Sequence, residues 1–186
     1  MMAESDLHVV RAKLEIQDVL LRYARGLDRF DEDMVAGVYH DGDGQDDYHG
    51  NPVGGREFAH TMIDFLAKGF LWTSHLITNM LIEVEGDVAF SESKYYAIQR
   101  FAREGKELDL NIAGRYIDRF ERRGGVWKIA YRYRVSDWSR VDPVDESLSP
   151  FGGGARRNTL RGLRSMEDPV YTHTKLLRQR ATSKRA

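Results

Sequence analysis

The sequence predicts an α+β fold, with helices first and a curved antiparallel sheet after them. Apolar residues recur at helical spacing up to residue 70, and beyond it they alternate with a period of two. The alternating segments follow one another through short connections, which is typical of an antiparallel meander. In folds with helices first and a meander after them, the helices pack on one face of the sheet.

Three helices are predicted. Residues 7–27 form an amphipathic helix. Asp28 follows it, and a negative charge at the C-terminal end opposes the helix dipole, which invites a functional explanation. "DEDMVAGVYH" predicts a short second helix with an acidic first turn, and "GGREFAHTMIDFLAKGF" predicts the third.

Four strands are predicted after the helices: Leu71–Val84, Val88–Phe101, Leu108–Phe120 and Val126–Trp138. The stretches "EGD" at 85–87 and "RRGG" at 122–125 are typical of hairpin turns. "SPFGGG" at 149–154 is typical of a joint, so residues 1–145 are predicted to form one domain and residues 146–186 a tail.

The composition excludes several classes of protein. The 186 residues contain no cysteine, which excludes disulfides, thiolate zinc sites and a cysteine nucleophile. No apolar run approaches the roughly 20 residues that span a bilayer, and the N-terminus lacks a signal-peptide core. We therefore expect a cytoplasmic protein that is not bound to membranes.

The net charge of −1 hides an asymmetry. Residues 155–186 carry nine Lys and Arg against two acidic residues, a net of +7, and the remainder has a net of −8. The tail is expected to pack on the acidic body or on a neighbouring subunit. Nucleic-acid binding is the alternative, but Tyr171 is the only aromatic of this segment and no groove-reading motif accompanies it.

The polar stretch "YHDGDGQDDYHG" at 39–50 resembles a calcium loop only in part. Position 6 of such a loop must be Gly but is Asp46, and position 12 must be Glu but is Pro52. We expect a solvated loop, no metal and no nucleotide cofactor. The alternative is an ion that His40 and His49 share with Asp46 or Asp47.

An acid/base site is the remaining possibility for chemistry. His75 lies in an otherwise apolar strand, and alternation puts Asn79 on the same face. Lys94 alternates with apolar neighbours and with Tyr96, and Arg134 poses the same problem in the last strand. Both cations either face inward with a partner or are turned to solvent by a strand bulge.

Five segments together resemble one known family: "IQDVLLRYARGLDRFD", "GREF", "SHLITNMLIEVEGDVAFSESKYY", "GRYIDRFERRGGVWKIAYRYRVSDW" and "MEDPVY". Over residues 7–171 the chain resembles the SnoaL-like branch of the nuclear-transport-factor-2-like superfamily. The resemblance implies a cone, in which a curved sheet wraps a deep pocket closed by helices. Relatives include cofactor-free dehydratases, dehydrochlorinases and diarylpropane formaldehyde lyases.

The resemblance also implies roles for residues. Several of these enzymes use a dyad of an aspartate at the end of the first helix and a histidine on the first long strand, and Asp28 and His75 occupy those positions. The residues predicted to be catalytic are His75, Asp28, Tyr48, Lys94 and Arg134. The residues predicted to bind substrate are Tyr23, His49, Asn79, Tyr96 and Tyr116.

The function expected from this resemblance is a cofactor-independent lyase for a hydroxylated phenolic apolar substrate. The specific expectation is deformylation of a diarylpropane-1,3-diol to a stilbene through a quinone methide. One alternative is a dehydratase or isomerase of a steroid- or polyketide-like substrate. Another is a non-catalytic small subunit of a ring-hydroxylating dioxygenase. A homo-oligomer is expected, with a trimer favoured.

Overall fold

The computed structural model describes residues 4–48, 50–145, 162–171 and 173–174. In chain order its elements are α1 (Glu4–Arg29), α2 (Glu32–Gly37), β1 (Gln45–Asp47), β2 (Pro52–Gly54), α3 (Gly55–Gly69), β3 (Trp72–Glu85), β4 (Val88–Arg103), β5 (Lys106–Arg123) and β6 (Val126–Pro143). The predicted order of three helices and four long strands is confirmed. None of the described helices is both long and apolar enough to cross a bilayer.

The strands form one open, curved sheet in the order β2-β1-β6-β5-β4-β3. Strands β3 to β6 are the predicted antiparallel meander. Strand β1 is an addition that pairs parallel to β6, and it corrects the expectation of a solvated loop. Asp46 and Asp47 are only 1% and 5% exposed, because pairing with β6 carries this segment into the sheet. The hydroxyls of Tyr39 and Tyr131 donate hydrogen bonds to them.

Helix α1 ends in a left-handed turn that fixes the position of Asp28. Phe30 has a φ of 54°, and the Asp31 N–H donates to the Gly26 carbonyl at 2.9 Å, which closes the last turn. The carboxylate of Asp31 then accepts the Met34 N–H at 3.0 Å and caps α2. The chain thus reverses direction just after Asp28, which leaves that carboxylate against β3.

The buried core lies between the helices and the inner face of the sheet. On β4 the odd-numbered residues from Ala89 to Gln99 are buried, so they define the inner face. Tyr23 of α1 meets Tyr116 of β5 edge to face, with ring centroids 5.5 Å apart. Phe58 of α3 stacks on Tyr23 at 6.2 Å. These aromatic contacts hold both long helices over one end of the inner face.

Lys94 and Tyr96 lie on the outer face, which corrects their assignment to the site. Lys94 is exposed and pairs with Thr78 on β3 and Arg115 on β5. The ring of Tyr96 packs against Trp138, with centroids 6.0 Å apart. The assignment failed because both faces of β4 carry apolar residues, so alternation alone does not identify which set points inward.

Asn79 is exposed and does not share the inward face of His75, which corrects a second assignment. Thr78 pairs with Lys94 and Leu81 with Glu92, so β3 has one extra residue in this interval. Asn79 lies in that bulge with a φ of 47°. A bulge shifts the alternation by one residue, and the positions beyond it change face.

The outer face exposes an unusual amount of apolar surface. The large apolar residues more than 40% exposed on it are Leu76, Leu81, Phe90, Ile117, Tyr133 and Trp138. A shallow groove of about 340 Å³ crosses part of this face. Charged residues, among them Lys94 and Arg115, lie on the same face. Exposed apolar side chains grouped on one face are typical of protein–protein contact surfaces.

Residues 162–171 of the tail lie against the end of α1. Asp168 is 3% exposed, and its carboxylate accepts the N–H groups of Leu163 at 2.7 Å and Val170 at 2.9 Å. Arg29 Nε lies 3.3 Å from the same carboxylate. Burial alone would raise the pKa of Asp168, but the two N–H donors and Arg29 outweigh burial and lower it.

Two further contacts extend this docking. Arg164 donates from Nη1 to the Phe70 carbonyl at 2.7 Å, and its guanidinium lies 4.5 Å from the centroid of the Phe30 ring. The Tyr171 hydroxyl donates to Asp31 at 3.3 Å. The segment therefore spans from the α1–α2 turn to the residue that follows α3. The predicted joint at 149–154 lies outside the described residues.

Candidate active site

A cavity of about 670 Å³ opens between helix α3 and the inner face of the sheet. It is lined by Leu27, Tyr48, Asn51, Val53, Glu57, Phe58, Thr61, Met62, Phe65, Phe70, His75, Gln99, Leu110, Ile112, Tyr116 and Arg134. Most of this wall is apolar, and a few polar side chains interrupt it. Such a cavity is typical of a site for a small organic molecule.

The expected pairing of Asp28 with His75 is present in the structure. Asp28 Oδ1 lies 2.7 Å from His75 Nδ1, and Asp28 Oδ2 accepts the backbone N–H of His75 at 2.9 Å. The Thr73 hydroxyl donates to Asp28 Oδ1 at 3.3 Å. These three donors stabilise a carboxylate that the helix dipole would disfavour.

The pairing leaves one imidazole nitrogen available for chemistry. Because the Asp28 carboxylate can only accept, His75 Nδ1 carries the hydrogen and donates it to Asp28. Nε2 is then the basic nitrogen that can act on a ligand in the cavity that His75 lines. The His75 side chain is 7% exposed and that of Asp28 is 13% exposed. This arrangement can take a proton from a bound substrate and stabilise the resulting imidazolium.

Arg134 supplies a cation to the same cavity. Its guanidinium lies 3.5 Å from the centroid of the Tyr48 ring. Its Nε is buried and has no hydrogen-bond partner among the described residues. Burial alone would lower the pKa of Arg134, but electrostatic interactions with three tyrosines and with Asp46 outweigh burial and raise it. The side chain therefore remains a cation that can bind an anionic oxygen.

A buried ion pair lies behind this wall. Arg132 donates to Asp118 through Nε at 2.7 Å and Nη2 at 2.8 Å, and both side chains are fully buried. The guanidinium packs over the rings of both Tyr23 and Tyr116, at 4.2 and 4.1 Å from their centroids. Burial raises the pKa of Tyr23 to about 12 and that of Tyr116 well above its usual value. Both phenols therefore stay protonated at neutral pH.

The structure brings five of the ten predicted site residues together. His75, Tyr48, Tyr116 and Arg134 line the cavity, and Asp28 stands directly behind His75. The predictions for Lys94, Tyr96 and Asn79 were wrong, because none of the three side chains lines the cavity.

Tyr23 and His49 have different outcomes. Tyr23 is 1% exposed and packs beneath the wall against Arg132, so its hydroxyl does not line the cavity, and its assignment to substrate binding is corrected. The long aromatic side chain of an α1 residue fills the core there instead of reaching the ligand space. His49 lies outside the described residues.

Sequence analysis missed two polar residues of the inner face, Gln99 and Tyr95. Gln99 is 7% exposed and lines the cavity. Tyr95 stacks on Tyr116 with centroids 4.6 Å apart, and burial raises its pKa. Both share the odd-numbered positions of β4, so taking the alternate phase of "KYYAIQRF" would have identified them.

No metal-binding cluster is found among the described residues of the site. Within the described part of the chain, no group of three or more His, Asp or Glu side chains is close enough to bind an ion. His40 Nε2 lies 2.9 Å from the Glu121 carbonyl oxygen, away from the cavity wall.

Comparison with known proteins gives a family and a fold. A family model described as a SnoaL-like domain matches residues 8–133. Rv3472 of Mycobacterium tuberculosis, a protein of unknown function, is 30% identical in sequence, with a TM-score of 0.60 over 73% of this chain and 77% of that one. No curated protein matches the chain in sequence.

Two further structures have names that refer to enzymes. A type 2 hexachlorocyclohexane dehydrochlorinase is 24% identical, with a TM-score of 0.65 over 75% of this chain and 93% of that one. A candidate scytalone dehydratase from Novosphingobium aromaticivorans is 23% identical, with a TM-score of 0.63 over 76% and 93% of the two chains. At these identities the likeness is one of fold.

Proposed function

The chain belongs to the SnoaL-like domain family, and from that premise we propose that it is a cofactor-independent lyase for a hydroxylated phenolic substrate. The observation that carries the proposal is the Asp28–His75 pair at a mostly apolar cavity that also contains Arg134. An acid/base group and a buried cation in one apolar space suit a reaction that removes a proton while negative charge develops on a phenol oxygen.

The reaction we propose is deformylation of a 1,2-diarylpropane-1,3-diol to a stilbene. In the first step the phenol gives its proton to solvent, Nε2 of His75 takes a proton from solvent, and the benzylic C–O bond breaks. The leaving hydroxide takes a proton from the His75 imidazolium and departs as water, which leaves a quinone methide. Arg134 stabilises the phenolate from which the electron pair comes.

In the second step neutral His75 takes the proton of the primary hydroxyl. The bond between the hydroxymethyl carbon and the chain breaks, and its electron pair reduces the quinone methide to the phenolate of the stilbene. Formaldehyde leaves, and His75 is again the imidazolium that began the cycle. The phenolate takes a proton from solvent, so the net products are stilbene, formaldehyde and water.

Dehydration is the second candidate function, because the same site can stop after a simpler reaction. His75 would then remove a proton from carbon next to the departing hydroxyl, and water would be the only small product. The fold shared with a candidate scytalone dehydratase supports this alternative. Release of formaldehyde distinguishes the two reactions.

The assay uses protein treated with EDTA and a 1,2-bis(4-hydroxyphenyl)propane-1,3-diol. The expected result is formaldehyde in equal molar amount to a new conjugated absorbance. An alkene product without formaldehyde would replace the lyase proposal with the dehydratase. Neither product, with the dehydration substrates also unchanged, would overturn both and favour the non-catalytic subunit.

We further propose that the apolar outer face mediates self-association, with a trimer favoured. Its exposed side chains, among them Leu81, Phe90 and Trp138, support a contact surface and not a solvated one. Sedimentation equilibrium should give three times the chain mass of 21.4 kDa. A monomer at micromolar concentration would contradict this assignment.

A further inference from the structure

Gln99 carries an amide side chain on the sheet wall of the cavity. The residue is 7% exposed and lines the cavity. Its cross-strand neighbours on the inner face are Thr73, whose hydroxyl donates to Asp28, and the apolar Leu110. A carboxamide on the cavity wall can hydrogen-bond to a bound ligand, because it offers two N–H donors and a carbonyl acceptor.

The strand register places this amide at the end of the cavity opposite Arg134. Arg134 pairs with Tyr116 on β5, which in turn pairs with Ser93 on β4. His75 pairs with Ala97, four residues along β4 from Ser93, or about 13 Å at the usual rise of a strand.

Gln99 follows two residues later on the same face, about 7 Å farther along the strand. Leu110 and Phe70 line the cavity in the same region, and neither carries a polar side chain. The order along the cavity is therefore cation, base and amide, with apolar wall between the two ends. Among the strand residues that line the cavity, Gln99 is the polar one that lies past His75.

We propose that Gln99 is a specificity-determining residue that binds an oxygen substituent on the half of the substrate remote from Arg134. This inference rests on the proposed function, in which the phenol oxygen lies at Arg134 and the reacting carbons lie beside His75. The substrate class it defines is a diaryl compound with oxygen on both rings. A carboxamide suits that role because it donates to an ether or phenol oxygen and accepts from a hydroxyl.

The experiment measures binding of two product-like ligands, 4-hydroxystilbene and 4,4′-dihydroxystilbene, by fluorescence titration. The wild-type protein is expected to bind the dihydroxy compound about five- to tenfold more tightly, since one neutral hydrogen bond is gained. Gln99→Met keeps the length of the side chain and removes both hydrogen-bonding groups. It is expected to abolish the preference while leaving the affinity for 4-hydroxystilbene within about twofold, which also demonstrates a folded cavity.

Thr78→Val provides the matched control, because Thr78 is exposed on the outer face of β3 beside Lys94 and its loss should leave the preference unchanged. Equal affinity of the wild type for the two stilbenes, or a preference that survives in Gln99→Met, would overturn the inference alone. The formaldehyde assay decides the proposed function independently of that result. Failure of both stilbenes to bind up to their solubility limit would overturn the inference together with the diaryl substrate class.

Discussion

Asp28 holds His75 through two different atoms of the same residue, the ring nitrogen Nδ1 at 2.7 Å and the backbone N–H at 2.9 Å. The first contact selects the tautomer of the imidazole, and the second fixes the strand that carries it. A helix end and a strand are thereby joined at one carboxylate. The orientation of His75 depends on the fold as much as on its own side chain.

Substitution of the dyad should abolish turnover without unfolding the protein. His75→Gln removes the proton acceptor and should lower kcat by about 10²–10⁴-fold. Asp28→Asn should lower kcat by a similar factor, because an amide favours the wrong tautomer of the imidazole. The measurement is formaldehyde release under substrate saturation, with circular dichroism to confirm folding.

Lys94→Met is the control for these variants, since Lys94 is exposed on the outer face. It should keep wild-type kcat to within about twofold, because Lys94 lies on the face of β4 opposite the cavity. If Lys94→Met lost as much activity as His75→Gln, the assignment of the two faces would be wrong.

Arg134→Gln should weaken stabilisation of the phenolate. Loss of a preorganised cation at a developing charge should lower kcat by about 10²-fold. Bound 4-hydroxystilbene should also ionise at a higher pH than it does in the wild type, as followed by the phenolate absorbance. Arg115→Gln, on the outer face of β5, should change neither quantity. Identical ionisation curves for Arg134→Gln and the wild type would remove Arg134 from the mechanism.

Removing one partner of the buried Arg132–Asp118 pair should destabilise the protein strongly, whereas replacing both with apolar residues should not. Arg132→Met leaves the buried Asp118 carboxylate unpaired and should lower the free energy of unfolding by about 3–5 kcal/mol. The double variant with Asp118→Leu should recover most of that loss, because apolar packing replaces both charges. Urea unfolding measures both. A double variant no more stable than Arg132→Met would show that the pair has no apolar substitute here.

The docking of residues 162–171 should depend on pH in the acid range. The pKa of Asp168 is lowered in the folded protein, so its contribution is complete above the unfolded carboxyl pKa of about 3.9. It is lost as the pH falls through the lowered folded value. Hydrogen exchange at the Leu163 and Val170 amides, corrected for intrinsic rates, should report this loss.

Asp168→Asn should remove protection of the same amides already at neutral pH. The control is Asp64→Asn, which disrupts an exposed pair with Lys68. It should leave these amides unchanged, because exposed pairs contribute little and Asp64 lies on α3 away from the segment. Unchanged protection in Asp168→Asn would contradict the anchoring role.

The dyad was predictable because two features of it are local. Asp28 follows the last apolar residue of a helical pattern, and His75 interrupts a long apolar strand; the family resemblance then gave each its role. Arg134 was identified in the same way, as a cation at an apolar position. Each of these three residues has a side chain that is unusual at its position in its helix or strand. A single sequence is enough to detect that.

The failures share one physical cause, the choice of face. Lys94 and Tyr96 were assigned inward because alternation in β4 gives two sets of positions and does not label them. The prediction for Asn79 was wrong because β3 contains a bulge there, and no residue near Asn79 in the sequence indicates that bulge. Gln99 was overlooked for the same reason, since it belongs to the set that was taken to point outward.

By itself the sequence determined the order of helices and strands, the meander, the family and the two members of the dyad, because these follow from periodicity and from local residue choice. Only the tertiary structure decided which side of each strand faces the cavity and that β1 joins the sheet beside β6. It also decided that Arg132 and Asp118 are paired beneath the wall. Those features depend on long-range register and on helices packing over one face, and neither is encoded within a single element.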